Sequence, residues 1–121
     1  MIRSRPDGAL RASQLDPMAE SFHPVARLSE IPKKQCRSFR VAGSDVVVAH
    51  TAHGFYAVED LCTHAEARLS HGRLKRCRIV CPLHGAAFDL RDGRVVKGPA
   101  IAPVRCYPVR VVGDMLEVGV T

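Results

Sequence analysis

The sequence predicts an all-β domain. Two observations carry this: short runs of β-branched and aromatic residues recur along the chain, and glycine-containing turns break them. A third is negative, since only Leu28 to Lys34 has the look of a short helical turn. Taken in order, patterned sequence begins at Ser21-Phe22-His23-Pro24-Val25-Ala26. Ser38-Phe39-Arg40-Val41 then leads through Ala42-Gly43-Ser44-Asp45 into Val46-Val47-Val48-Ala49, and His53-Gly54 turns into Phe55-Tyr56-Ala57-Val58, a meander. Arg78-Ile79-Val80 follows, then Ala87-Phe88-Asp89-Leu90 turning at Asp92-Gly93 into Arg94-Val95-Val96. The run Tyr107-Pro108-Val109-Arg110-Val111-Val112 turns at Gly113-Asp114 into Met115-Leu116-Glu117-Val118. Strands so spaced suit a small sandwich or barrel.

The chain has 121 residues, 46% of them hydrophobic and 25% charged, which is one soluble globular domain and excludes a multidomain enzyme. A chain of this size buries about two-thirds of its unfolded surface, enough for a core without a large substrate cavity. Residues 1–17 hold two prolines and a glycine and show neither period, so residues 1–21 are expected to form a loosely ordered tail and 22–121 the folded domain. No run approaches the roughly 18 apolar residues of a membrane helix, and no apolar secretory segment opens the chain, so a cytoplasmic location is expected.

The formal charge is +6. The first twenty residues balance to zero, whereas Arg68, Arg73, Lys75, Arg76 and Arg78 are interrupted by no acid. Such a run most simply makes a solvated strand face; as a functional feature it calls for an acidic partner. The five cysteines, Cys36, Cys62, Cys77, Cys81 and Cys106, are an odd set in a reducing compartment and point to metal ligation rather than disulfides.

Two stretches carry the chemistry: Cys62-Thr63-His64 and Cys81-Pro82-Leu83-His84-Gly85. Each pairs a thiolate with an imidazole in one tight loop. Four such ligands can hold a tetrahedral zinc, or a two-iron cluster with cysteines on one iron and histidines on the other. Structural zinc sites draw paired cysteines from one knuckle, so one Cys and one His per loop favours the cluster.

With these motifs, and with Ala67-Arg68-Leu69-Ser70-His71-Gly72, Phe88-Asp89-Leu90-Arg91-Asp92-Gly93 and Gly98-Pro99-Ala100, the sequence resembles the Rieske family from about Phe22 to Val118. It is most similar to the small ferredoxins of bacterial aromatic-ring dioxygenase systems. The resemblance implies an antiparallel β-sandwich base with a small two-loop cluster-binding subdomain at about residues 60–88. It also implies one 2Fe-2S cluster held by Cys62, Cys81, His64 and His84. Ala65, Ala67, Leu83, Gly85, Ala86, Phe88 and Pro99 surround it, with Pro99 in a covering loop. The high-potential respiratory branch has an extra cysteine in each loop and a serine and a tyrosine that donate to sulfur. Ala67, Leu83, Ala86 and Phe88 stand at those positions, and a low-potential carrier is implied.

The implied partners are a flavin-dependent NAD(P)H ferredoxin reductase and a Rieske terminal oxygenase, served by a monomer that is not catalytic alone and engages neither nucleic acid nor membrane. Two other readings stand beside this one: the small Rieske-like subunit of an NAD(P)H nitrite reductase, and a zinc module contacting nucleic acid. Cys36, Cys77 and Cys106 are expected as core or half-buried thiols, and His23, His50, His53 and His71 as surface or turn residues.

Overall fold

The computed structural model describes residues 21–63, 66–83, 85–99 and 102–120. Residues 1–20 of the expected tail lie outside them, as do His64, Ala65 and His84, whereas Ser21, the last residue assigned to the tail, already belongs to a strand. Among the described residues eleven strands form three antiparallel sheets. They are β1 (Ser21–Arg27), β2 (Cys36–Val41), β3 (Ser44–Thr51), β4 (Gly54–Glu59), β5 (Arg73–Lys75), β6 (Arg78–Val80), β7 (Ala87–Asp89), β8 (Val95–Lys97), β9 (Cys106–Tyr107), β10 (Val109–Val112) and β11 (Met115–Val120). A 3-10 turn at Leu28–Glu30 occupies the expected helical turn, and a second, at Leu69–His71, follows the first cysteine loop.

The sheet β2-β3-β4-β9 is the middle layer, with β1-β11-β10 packed on one face and β5-β6-β7-β8 on the other. The unbroken apolar run in β3 now has its reason. Side chains alternate across a strand, so Val46 and Val48 point into the core shared with Ala26, Leu116, Val118 and Val120. Val47 and Ala49 point the other way, into a core with Leu69, Ile79, Phe88 and Val104. A strand covered on both faces has no position left for a polar residue. Ala57 and Val58 of β4 divide in the same way.

Two elements differ from the sequence expectation. The run from Tyr107 to Val112 is two strands: Tyr107 pairs with Ala57 in the middle sheet, while Val109 pairs with Val118 in the outer one. Pro108 lacks the N–H a continuous ladder needs, so the strand breaks there and changes sheet. The basic run contains a strand of its own, β5, whose single apolar residue, Leu74, is too little for an alternation to show.

The chain leaves the middle sheet at Glu59 and returns beside it at Cys106. Val58 is paired with Cys106, and the Glu59 N–H donates to the Arg105 carbonyl at 2.8 Å. Everything between, including both cysteine loops and the sheet β5-β6-β7-β8, springs from that one junction.

Candidate metal centre

Both ligand loops are closed by the same bond. The Cys62 N–H donates to the Ala67 carbonyl at 2.9 Å and the Cys81 N–H to the Ala86 carbonyl at 2.7 Å, five residues on in each case. Cys62 and Cys81 are both buried, belong to one apolar core, and bring their sulfurs within hydrogen-bonding reach of each other. Burial pushes the Cys81 thiol up; the backbone N–H of Leu83, pointing at its sulfur, partly opposes this, and neighbouring Cys62 adds to the rise. Two thiolates cannot share so dry a site without a cation between them. The donor set therefore fits a metal held by both sulfurs. The predicted ligands His64 and His84 lie outside the described residues.

Each loop is fastened from below. Asp60, fully buried at the end of β4, accepts hydrogen bonds from the Ser70 N–H (2.8 Å), the Ser70 and Ser38 hydroxyls (3.0 and 2.9 Å) and the Arg68 guanidinium (3.1 Å). Its carbonyl accepts from Leu69 at 2.6 Å, and Leu61 and Arg68 form a β-bridge. Arg68 also reaches Asp45 at 3.6 Å. The stems of the first loop are thus locked together, at Asp60 and Leu61 before Cys62 and at Arg68 to Ser70 beyond it. The second loop hangs between β6 and β7, where Ile79 and Phe88 face each other. Gly72 lies against it so closely that a Cβ there would overlap the Val80 carbonyl, next to Cys81. Gly85, with φ of +73°, takes a conformation that favours glycine.

The remaining predicted surroundings fall around these loops. Ala86 and Phe88 are fully buried, Ala67 is half-buried against the same core, and Leu83 is exposed at the second loop's tip. Pro99 is exposed, and its loop is tied to the first ligand loop by the Thr63 hydroxyl, which donates to the Ala102 carbonyl at 2.7 Å. Asp60 was not legible as a functional residue from the sequence: its partners come from β2 and from beyond the loop, and the one local signal is an acid two residues before a ligand cysteine.

A family model described as "Rieske [2Fe-2S] domain" matches residues 21–108. The chain belongs to the Rieske family. This Rieske domain is 36% identical over 100 residues to the anthranilate 1,2-dioxygenase ferredoxin subunit of Burkholderia cepacia, covering 82% of this chain and 92% of that one. Among solved structures it is similar to the ferredoxin of carbazole 1,9a-dioxygenase from Nocardioides aromaticivorans IC177, with a TM-score of 0.75, 37% identity and coverage of 78% of this chain and 95% of that one. It is also similar to a chain from a complex of reduced oxygenase and oxidized ferredoxin in carbazole 1,9a-dioxygenase, with a TM-score of 0.75, 33% identity and coverage of 79% and 99%. The Rieske domain carries a 2Fe-2S cluster.

The other cysteines and histidines of this Rieske domain stand apart. Among the described residues no group of three or more His, Cys, Asp or Glu could hold a metal ion. Cys77 is buried and Cys36 is half-buried. Cys106, expected in or near the core, is exposed: in the two-residue edge strand β9, Tyr107 takes the inward position and turns Cys106 outward. His50, expected at the surface, is partly buried in β3. Its ring stacks on Phe55 at 4.0 Å and its Nδ1 lies 2.7 Å from the Ile31 carbonyl. His53 and His71 are exposed, and His23 is half-buried in β1. Among the described residues no helix is long and apolar enough to cross a membrane.

Proposed function

We propose that this chain is the ferredoxin component of an aromatic-ring dioxygenase system, a cytoplasmic carrier that takes single electrons from an NAD(P)H-dependent flavin reductase and delivers them to the terminal oxygenase. The observation that carries this reading is the pair of adjoining buried thiols on two identically closed loops, in a chain that spans 92% of the length of a dioxygenase ferredoxin subunit. Cys62 and Cys81 would hold the inner iron as thiolates, with His64 and His84 on the outer iron as neutral imidazoles. When bound, the cluster supplies a one-electron redox couple.

The chain does the rest. Phe88, Leu69 and Ile79 exclude water behind the two sulfurs, and the Leu83 N–H favours the charged form of Cys81. Leu61 and Leu83, 44% and 45% exposed, leave apolar surface beside the ligand loops, as a brief contact with a partner requires. Asp60 and Gly72 fix the loop stems.

The test is spectroscopic. Purified protein should be red-brown, contain two irons and two sulfides, and give a Rieske electron-paramagnetic-resonance signal on reduction. Cys62→Ser, Cys81→Ser, His64→Ala and His84→Ala should each lose it. A full signal from Cys62→Ser or His84→Ala overturns the ligand assignment, and colourless zinc protein overturns the carrier reading.

A further inference from the structure

The register shows that the surplus positive charge is not an incidental product of the sheets. Where strands face one another elsewhere, opposite charges are matched: Arg40 stands opposite Asp45 across β2–β3 at 3.2 Å, and Arg110 opposite Glu117 across β10–β11 at 2.7 Å. The hairpin β5–β6 breaks this pattern, for Lys75 stands opposite Arg78. Like charges at directly opposed positions destabilise a sheet. Arg73, Lys75, Arg76 and Arg78 are all exposed, and none forms an ion pair among the described residues. Asp89 faces Arg78 across β6–β7, but its carboxylate is taken by Arg91 at 2.7 Å and Arg94 at 3.5 Å. Four cations with no ion pair among the described residues therefore stand within six residues.

Their position gives this field a use. Strand β6 runs directly into Cys81, and Arg73 is paired with Val80, the residue before it. The cations begin at the stem of a ligand loop and extend for about 10 Å along β5. The hairpin carries no aromatic residue, so it lacks the stacking surface of a single-strand nucleic-acid site. An acidic protein face is the complementary surface.

We propose that the β5–β6 hairpin is an electrostatic docking surface for an acidic face of the oxygenase that receives the electron. This rests on the carrier reading above. The hairpin orients the encounter so that the ligand loops arrive first, and it acts on association more than on lifetime.

The experiment uses reduced holoprotein mixed in a stopped-flow instrument with the oxygenase components of the anthranilate and carbazole systems, at ionic strengths from about 10 mM to 1 M. Over that range the screening length falls from about 30 Å to 3 Å. The wild-type second-order rate constant should fall steeply with salt. Arg73→Glu with Lys75→Glu should cut it about tenfold or more at low salt, converging on wild type at 1 M. Lys75→Glu alone gains a carboxylate opposite Arg78, so it should melt no lower than wild type while still docking more slowly; a misfolded variant could not do both. Transfer that ignores salt and both substitutions overturns the docking proposal and leaves the carrier reading intact. Wild-type protein that reduces neither oxygenase at any salt overturns the carrier reading itself. Tight binding to a 20-base-pair DNA duplex at 150 mM salt, lost on charge reversal while electron transfer is unchanged, assigns the hairpin to nucleic acid instead.

Discussion

Asp60 offers the sharpest test of how the first ligand loop is held. Its Oδ1 accepts from the Ser70 N–H, and its Oδ2 accepts from two hydroxyls and from Arg68. In Asp60→Asn the Oδ1 bond survives and the two hydroxyls rotate to accept from the new amide. Arg68, which can only donate, loses its partner and falls back on Asp45. One charge-assisted hydrogen bond is lost, so the cost should be about 2 kcal/mol. Asp60→Ala strands the Ser70 N–H beside a buried void, at roughly 1–3 kcal/mol, on top of the lost charge-assisted bond, so the cost should be roughly 3–5 kcal/mol. For a domain near 100 residues that is a melting-point drop of roughly 15–30 °C. Because Leu61 and Arg68 are the stems of the loop, iron content should fall with stability. Denaturation followed by circular dichroism, with visible absorbance and iron assay on the same samples, measures both. A double-mutant cycle with Arg68→Met should return a coupling of at least about 1 kcal/mol. If Asp60→Ala melts within 2 °C of wild type and keeps its iron, the stem is held by something else.

Three further outcomes follow from the same structure. Hydrogen bonds from Arg91, and to a lesser degree its charge and that of Arg94, hold the Asp89 carboxyl down to about 2. That stabilisation is complete above the ordinary value near 4 and is lost as pH falls from 4 through 2, so Asp89→Asn should cost about 1–2 kcal/mol at pH 7, allowing for solvent around the exposed arginines, and visibly less at pH 3; urea titrations giving an equal gap at both pH values contradict this. Gly72→Ala drives a methyl group into the Val80 carbonyl and should lower iron content, whereas Gly43→Ala, in an open turn with φ of +83°, should cost about 1 kcal/mol and leave iron content unchanged, as iron assay and melting will show. With no hydroxyl at Ala86 or Phe88 to reach a ligand sulfur, voltammetry should place the potential near the low end of the family's span of roughly −150 to +300 mV, with Phe88→Tyr raising it; a strongly positive wild-type value contradicts the reading.

The motifs bearing the thiols were legible because ligand spacing is local: a Cys and a His in one tight loop must be close. The strand order of the base was legible wherever turns are written in glycine, as at Ala42-Gly43 and Gly113-Asp114. Features set by long-range contact were not. Val46 to Ala49 show a buried strand but not that two different cores divide it, because that depends on which sheets cover each face. Cys106 reads like Cys77 until the edge position of β9 is known. Arg73-Leu74-Lys75 reads as a charge run because three residues with one apolar side chain cannot display a period. Asp60 reads as an ordinary acid, since Ser38 lies 22 positions away.

The junction between β4 and β9 makes the metal-bearing half a graft on a closed frame. Residues 59 and 105 are 46 positions apart yet joined by backbone and side-chain hydrogen bonds, so the whole excursion is one long loop with its ends already tied. Holding such ends together costs a loop about 3 kcal/mol by the length scaling of chain closure, a cost that the β4–β9 pairing helps to offset. A chain that shortened the excursion to a tight turn from Glu59 to Arg105 would keep every strand of the β1-β11-β10 and β2-β3-β4-β9 sheets. Variation in the loops, in the β5–β6 hairpin and in the residues around sulfur, all of which lie inside the excursion, therefore leaves unchanged the core that the middle sheet shares with β1-β11-β10.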